Sequence, residues 1–187
     1  MTAINGSDEF HQILSARQLQ PITSQIARQA RADEYPLAEL LVPSVKCALE
    51  NTGAETAIIL LACGDQLLIQ AIASIRNDMV RVKHAISINT LAALEEQCLL
   101  LPLSLINHVA HTAEGLLVGD ATQDDRFMSD PYIQLSRPLS ILCEPIRART
   151  KLIGIMYLEN NLTRDAFAEE HARNLHDLCS HAASALE

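Results

Sequence analysis

The sequence contains no tryptophan, and tyrosine and phenylalanine occur only three times each among 187 residues. Proteins that bind single-stranded nucleic acid need aromatic platforms on which the bases stack. The net charge of −9 is also unfavourable for contact with phosphate groups or an anionic membrane. No apolar run is long enough to span a bilayer, and the polar amino terminus does not have the pattern of a signal peptide. We therefore expect no nucleic acid and no membrane as partner.

The cysteines are few and isolated. Each lies in an apolar segment, and no two have the CxxC spacing of a redox or zinc motif. This pattern is typical of buried thiols in a reducing compartment, so we expect core packing and a cytoplasmic protein. The cysteines are Cys47, Cys63, Cys98, Cys143 and Cys179.

Neither the histidines nor the acidic residues have the number and spacing of a metal-binding site. His108 and His111 are three residues apart on a predicted helix, but structural zinc needs about four ligands. The acidic stretch from Asp120 to Asp130 lacks the alternation and the central glycine of a calcium loop. We expect Asp120 or Asp130 to accept backbone N–H bonds or to pair with Arg126. No metal and no catalytic nucleophile are predicted, since a G-x-S-x-G motif is also absent.

Hydrophobic residues make up 49% of the chain and charged residues 20%, a composition typical of one globular domain. Two apolar runs, Leu139–Ile146 and Lys151–Leu158, are separated by the polar residues 147–150. Short apolar runs with so short a connection predict an antiparallel hairpin, which we place at the centre of a sheet. Gly154 marks a position for a bulge or a closely packed neighbour.

Further strands precede this hairpin. The segments Thr56–Cys63 and Gln66–Ala73 are apolar and joined by Gly64-Asp65, which predicts a tight hairpin turn of type II′. Met79–Ile86 alternates between apolar and charged residues, as a strand near a sheet edge does. Leu116–Val118 predicts a short strand, whereas residues 91–101 favour no single assignment.

Five helical segments are predicted. Residues 8–34 carry a narrow apolar seam of Leu19, Ile22 and Ile26, with either a kink or a break at Pro21. A second helix begins near Pro36, is bent at Pro43 and is stopped by Asn51-Thr52-Gly53. The next runs from Leu105 to Thr112, with Ser104 as its cap and Gly115 as its end. A helical turn near Tyr132 lies in the polar loop 121–138. The last helix is Asp165–Glu187, with small residues on its apolar face.

The carboxyl-terminal half also resembles a known family. Its sequence segments resemble, in the same order, the last strands and the preceding loop of GAF domains, especially those of large bacterial kinases. The matching segments are Asp120-Ala121, Asp125-Arg126-Phe127, Asp130-Pro131-Tyr132-Ile133, Ser140-Ile141-Leu142-Cys143, Pro145-Ile146, Leu152-Ile153-Gly154-Ile155 and Tyr157-Leu158-Glu159-Asn160-Asn161.

The resemblance implies an α/β (α+β) fold with a central antiparallel sheet. The amino- and carboxyl-terminal helices would cover one face, and a ligand-pocket loop would cover the other. Residues 1–34 would form a helical connector, and residues 35–187 the GAF domain. The implied function is that of a cytoplasmic sensory domain, not an enzyme, in a two-component signalling protein with a kinase-like front region and a histidine kinase. The ligand would be a small molecule bound by His108, Asp120, Arg126 and Tyr132.

Two GAF ligand classes are disfavoured at specific positions. Bilin-binding relatives have a cysteine followed by histidine, and no cysteine here has that neighbour. Relatives that bind cyclic nucleotides have Asn-Lys and Asp-Glu pairs where this chain has Gly119-Asp120 and Asp130-Pro131. The ligand is therefore not identified. Two alternatives stay open: a homodimeric relay module without a ligand, associating through the terminal helices, and a thiol-based redox enzyme similar to GAF reductases of methionine sulfoxide.

Overall fold

The computed structural model describes residues 34–64, 66–76, 79–80, 86–87 and 101–186. The elements in chain order are α1 Glu34–Thr52, β1 Thr56–Cys63, β2 Gln66–Arg76, β3 Met79–Val80, β4 Ile86–Ser87, α2 Leu103–Thr112, β5 Leu116–Val118, α3 Pro131–Ser136, β6 Ser140–Ala148, β7 Lys151–Asn160 and α4 Glu169–Leu186. The seam of the first predicted helix, the unassigned stretch 91–100 and Cys98 lie outside the described residues.

The strands form one antiparallel sheet with the order β3-β2-β1-β7-β6-β5, and β4 pairs with β2. The predicted hairpin is β6 and β7, and β7 lies at the centre of the sheet beside β1. The sequence prediction of a central hairpin is therefore confirmed. The segment from Met79 is also found at an edge, where β3 pairs with the end of β2.

Two glycines explain how the strands fit together. A Cβ atom at Gly154 would collide with the carbonyl oxygen of Leu60 on β1, so the two strands approach too closely for a side chain. The register of the hairpin shifts beside it, because Ile146 pairs with Gly154 and Arg147 with Leu152. Gly64 has a φ of +61°, which a tight two-residue hairpin turn requires. Both glycines thus have the roles predicted for them.

Alternating side chains divide the core into two clusters, one on each face of the sheet. On the terminal-helix face, α1 and α4 cover Ala57, Ile59, Ala71, Leu142, Ile146, Met156 and Leu158. On the loop face, α2, α3 and the loop of residues 119–130 cover Ile58, Leu60, Ile69, Ile141, Cys143, Ile155 and Tyr157. This is the predicted arrangement of helices on one face and a loop on the other.

The helix boundaries correct several predictions. Helix α1 begins at Glu34, and Pro43 lies inside it, but it ends as predicted before Gly53, whose φ is +70°. The expected cap of α2 at Ser104 is wrong, because Pro102 occupies the cap position. Helix α2 ends at Thr112 as predicted, but its C-cap is Ala113, in the left-handed conformation with φ of 52°, and not Gly115.

The last helix begins four residues later than predicted. Asp165 has a φ of 51°, which is incompatible with the interior of a right-handed helix. Its N–H donates to the carbonyl of Gly119, and the N–H of Ala166 donates to the hydroxyl of Ser140. These bonds hold the segment before α4 against the loop. Ala168 consequently lies outside α4 and is exposed.

The cysteines divide into two groups. Cys143 and Cys179 are buried as expected, but Cys47 and Cys63 are exposed, so the prediction of burial is wrong for those two. Cys47 lies on the outward side of α1, and Cys63 ends β1 at the hairpin turn. None of the helices in the described part of the chain has the length and apolarity needed to cross a bilayer.

Candidate functional site

The first carboxylate of the loop, Asp120, is held from both sides. Its Oδ1 accepts the N–H of Thr122 at 3.0 Å and the hydroxyl of Thr122 at 2.6 Å. Its Oδ2 accepts from Nε of Arg164 on the connection to α4. The Thr122 hydroxyl is the largest cause of a pKa of Asp120 below its ordinary value; burial acts in the opposite direction, and the hydrogen bond from Arg164 adds to the lowering. Asp120 therefore joins the loop to the segment before the last helix.

The cation of the loop, Arg126, is paired with Asp124. Nε and one terminal nitrogen donate to the two carboxylate oxygens at 3.0 and 2.7 Å, and the Arg126 N–H donates to Asp124 Oδ1 at 3.0 Å. The expected pairing of Arg126 with Asp120 or Asp130 is therefore wrong. The local turn places Asp124 within reach of both the backbone and the side chain of Arg126. Hydrogen bonds from Arg126 lower the pKa of Asp124.

The ring of Phe127 brings two predicted site residues together. The guanidinium of Arg126 lies 4.9 Å from its centroid, and the exposed His108 ring on α2 approaches it edge-on at 5.7 Å. Phe127 itself is buried in the loop-face core. The side chain of Arg126 is 53% exposed, so its guanidinium presents further donors to solvent beside the aromatic ring.

Asp130 connects the two helices of the loop face. Its Oδ1 accepts the N–H of Tyr132 at 2.8 Å and caps α3. Its Oδ2 accepts the N–H of Ser104 at 2.8 Å and the hydroxyl of Ser104 at 2.7 Å. The prediction that loop aspartates accept backbone N–H bonds is confirmed for Asp120 and Asp130. Ser104, expected to cap its own helix, contacts the cap of the other.

Tyr132 differs from the other predicted site residues because its hydroxyl makes a hydrogen bond in the interior of the protein. It donates to Oε2 of Glu159 at 2.7 Å, and the hydroxyl of Tyr157 donates to the same oxygen at 2.8 Å. All three residues are buried. Burial raises the pKa of Glu159 above its ordinary value, although the hydroxyls of Tyr132 and Tyr157 act in the opposite direction.

The four predicted residues thus take part in three sets of contacts: Asp120 with Thr122 and Arg164, His108 and Arg126 around Phe127, and Tyr132 with Glu159. Sequence reasoning missed Glu159. A signal was present, since an acid at the third of the alternating positions 155, 157 and 159 shares the buried face of an apolar strand. No group of three or more His, Cys, Asp or Glu side chains suited to a metal occurs among the residues that the structure describes.

The described thiols do not form a reactive pair. Burial raises the pKa of Cys143 and of Cys179, and nearby Glu144 acts in the same direction on both. A raised pKa opposes the thiolate that redox chemistry requires. Cys47 accepts a hydrogen bond from the Asn51 side chain, while the neighbouring Lys46 pairs with Glu50.

The fold and part of the sequence match known proteins. The chain is similar to the hybrid signal transduction histidine kinase G of Dictyostelium discoideum, with 41% identity over 81 residues, which are 43% of this chain and 2% of that kinase. The structure is similar to the GAF domain/HD domain protein from Geobacter sulfurreducens, with a TM-score of 0.57, 17% identity and coverage of 80% of this chain and 91% of that chain.

A second solved structure, the type II free methionine-R-sulfoxide reductase from Thermoplasma acidophilum, has a TM-score of 0.59, 12% identity and coverage of 82% of this chain and 94% of that chain. At such identities the structural likeness shows the fold alone. The sequence model of the GAF domain matches residues 36–186, which is most of the chain. The chain therefore belongs to the GAF domain family.

Proposed function

We propose that this GAF domain is the sensory, regulatory domain of a signalling protein. It binds a small molecule at the loop face and relays the bound state to an attached output domain through α1 and α4. The observation that carries this proposal is the division of the sheet, with polar loop residues over one face and the two terminal helices over the other. The match to a hybrid histidine kinase supports a kinase-type output domain.

The proposed ligand site comprises His108, Asp120, Arg126 and Tyr132. Arg126 is the principal candidate, because Asp124 orients its guanidinium while 53% of the side chain stays exposed. An oriented guanidinium with donors open to solvent suits a ligand that carries a hydrogen-bond acceptor or anionic group. Asp120 and Tyr132 act by holding the loop and α3 in place.

The remaining features of the proposal concern the parent protein. We propose a cytoplasmic protein in which residues 35–187 form the GAF domain and residues 1–34, which lie outside the described residues except for Glu34, form a connector. It associates as a homodimer through its terminal helices and performs no catalysis itself. The packing of α1 and α4 against each other on one face of the sheet supports this arrangement.

A thermal-shift screen of cellular metabolites against the purified chain tests the ligand. A ligand that binds the native state raises the melting temperature, and the stabilisation grows with the logarithm of one plus the ratio of free ligand to Kd. Arg126→Ala should abolish this rise while the variant stays folded. Arg173→Ala is the matched control, because Arg173 is an exposed arginine of α4 paired with Glu169, on the opposite face. A broad screen without any shift contradicts the ligand proposal.

A second candidate is a dimeric relay module without its own ligand. The contact between α1 and α4 favours it, because paired terminal helices can transmit a shift without chemistry. Leu19→Glu with Ile26→Glu should convert a dimer into a folded monomer, measured by sedimentation. A wild-type chain that sediments as a monomer at about tens of micromolar contradicts the dimer.

A further inference from the structure

We propose that the adjacent residues Glu159 and Asn160 couple the loop face of the sheet to both terminal helices. The inference rests on the proposed function, since it supplies the route for the relay, and it names the regulatory element within the domain. The two residues end β7, the central strand. Successive side chains of a strand point to opposite faces, so one dipeptide reaches both sides of the sheet.

On the loop face, Glu159 holds α3. The hydroxyl of Tyr132, in the first turn of α3, donates to Oε2 of Glu159 at 2.7 Å. Asp130 links the start of α3 to α2 through Ser104. A movement of α3 is therefore passed to the end of β7 through this carboxylate, beside the apolar packing of the loop-face core. Glu159 is only 4% exposed, so water does not readily replace the tyrosine hydroxyl.

On the other face, Asn160 holds the residue after α1 and the segment that leads to α4. Its Nδ2 donates to the carbonyl of Gly53, directly after α1, at 3.0 Å. Its Oδ1 accepts the N–H groups of Leu162 and Thr163, on the connection to α4, at 2.9 and 2.8 Å. One buried amide thus fixes the exit of α1 and the entry to α4 relative to the strand.

The backbone of the same strand end strengthens this connection. The N–H of Glu55 donates to the carbonyl of Glu159 at 2.9 Å, and the N–H of Asn161 donates to the Glu55 side chain at 2.7 Å. Separating α3 from the strand end would leave the buried hydroxyl of Tyr132 without its bond to Glu159, which is costly. Helix α3, the end of β7 and both terminal helices therefore shift as a unit.

Hydrogen exchange on the purified chain tests the coupling without any ligand. The reporters are the amides of Gln134 and Arg137, which are hydrogen-bonded to Asp130 and Ile133 in and after α3. Asn160→Ala, on the opposite face, should accelerate their exchange about fivefold or more, the usual lower range of energetic coupling. The same substitution in a Tyr132→Phe background should leave them unchanged, because the connection is already cut.

Tyr157→Phe is the matched control background. It removes a hydroxyl from the same carboxylate oxygen but leaves the bond between Tyr132 and Glu159 intact. There the effect of Asn160→Ala should persist. An equal acceleration in all three backgrounds would show independent structural roles and overturn the proposal. If Asn160→Ala does not fold, Asn160→Asp keeps the acceptor for Leu162 and Thr163, replaces the donor to Gly53 by a charged acceptor, and allows the same comparison across the three backgrounds.

The outcome separates this inference from the proposed function. A ligand that stabilises the domain, found together with uncoupled faces, overturns the Glu159–Asn160 route alone. Coupled faces in a protein that no metabolite stabilises support the route and contradict the ligand, since the exchange measurement uses no ligand.

Discussion

Two buried glutamates on neighbouring central strands meet different partners. Glu159 on β7 faces the loop side, is 4% exposed and accepts the hydroxyls of Tyr132 and Tyr157. Glu144 on β6 faces the terminal helices, is 6% exposed and lies 2.6 Å from Nδ1 of His176 on α4. Both carboxylates are almost equally buried, yet one has neutral buried donors and the other an imidazole that is 53% exposed.

The difference shows that the burial of a carboxylate does not by itself fix its contribution to stability. If Glu159 is lost, two phenol hydroxyls remain inside the core, and both belong to fully packed residues. If Glu144 is lost, the imidazole of His176 turns to water at little cost. The pair of Glu144 and His176 can therefore rearrange at low cost. The network of Glu159 with Tyr132 and Tyr157 resists rearrangement and is suited to passing a movement of α3 to the sheet.

The largest expected effect comes from breaking the loop-face network. Glu159→Ala should lower the free energy of unfolding by about 3 kcal/mol, because two buried donors lose their acceptor and a cavity forms. Glu159→Gln keeps the shape and one acceptor oxygen, so its cost should be about 1 kcal/mol. Urea unfolding followed by far-ultraviolet circular dichroism measures both.

The control for this prediction is Glu144→Ala. It should cost less than Glu159→Ala, by about 1 kcal/mol or more, because its partner is accessible to water. Equal losses for the two alanine variants would show that burial alone determines the contribution, and the comparison of the two faces would be wrong.

The two strands that carry these glutamates, β6 and β7, show which features the sequence predicts well and which it does not. The central hairpin was predictable because its two apolar runs adjoin each other, so their pairing needs only a local turn. The Glu159 network was not, because Tyr132 lies 27 residues away and approaches only after α3 packs onto the sheet. The pairing of Arg126 with Asp124 was also missed, since the loop of residues 120–130 contains four aspartates and the local turn selects among them.

The arrangement of a sheet covered on both faces was predictable for a physical reason. Nearly continuous apolar runs such as those of β1 and β6 require cover on both faces. Helix ends were less predictable, because Ala113 and Asp165 adopt positive φ without a glycine to signal it. Tertiary contacts, such as the bond of Ala166 to Ser140, decide where α4 begins.

The second effect concerns the terminal-helix face. His176→Ala removes the partner of a carboxylate that stays buried, so it should cost about 2 kcal/mol. Glu144→Gln should cost less than 1 kcal/mol, since the amide keeps its contact with His176 and no charge is left unpaired. Thermal unfolding of both variants checks this order. A larger loss for Glu144→Gln than for His176→Ala contradicts it.

The third effect is a pH dependence with a defined sign. Burial raises the pKa of Glu159, so the folded state holds this proton at pH values where the unfolded state has released it. Stability from this group is present at low pH and falls as pH rises from about 4.3, the ordinary value, through the folded pKa. The slope is at most about 1.4 kcal/mol per pH unit. Glu159→Gln should remove that slope, and an unchanged slope in this variant contradicts the assignment.

The smallest effect concerns Asp120, a partly buried carboxylate of the loop. It sharpens the comparison with Glu159, because the pKa of Asp120 shifts in the opposite direction. Hydrogen bonds from Thr122, and then Arg164, lower the pKa of Asp120. Its stabilisation is therefore present above about pH 3.9, the ordinary value, and is lost as pH falls through the folded pKa.

Thr122→Ala removes the largest cause of that shift, so the pKa of Asp120 should rise in a carboxyl NMR titration. Arg164→Ala is the paired variant and should give the smaller rise, because the Arg164 side chain is 64% exposed and its interaction is screened by water. Each should change the free energy of unfolding at neutral pH by only a few tenths of a kcal/mol. A greater rise for Arg164→Ala than for Thr122→Ala would mean that the charge, and not the hydroxyl, holds this carboxylate ionised.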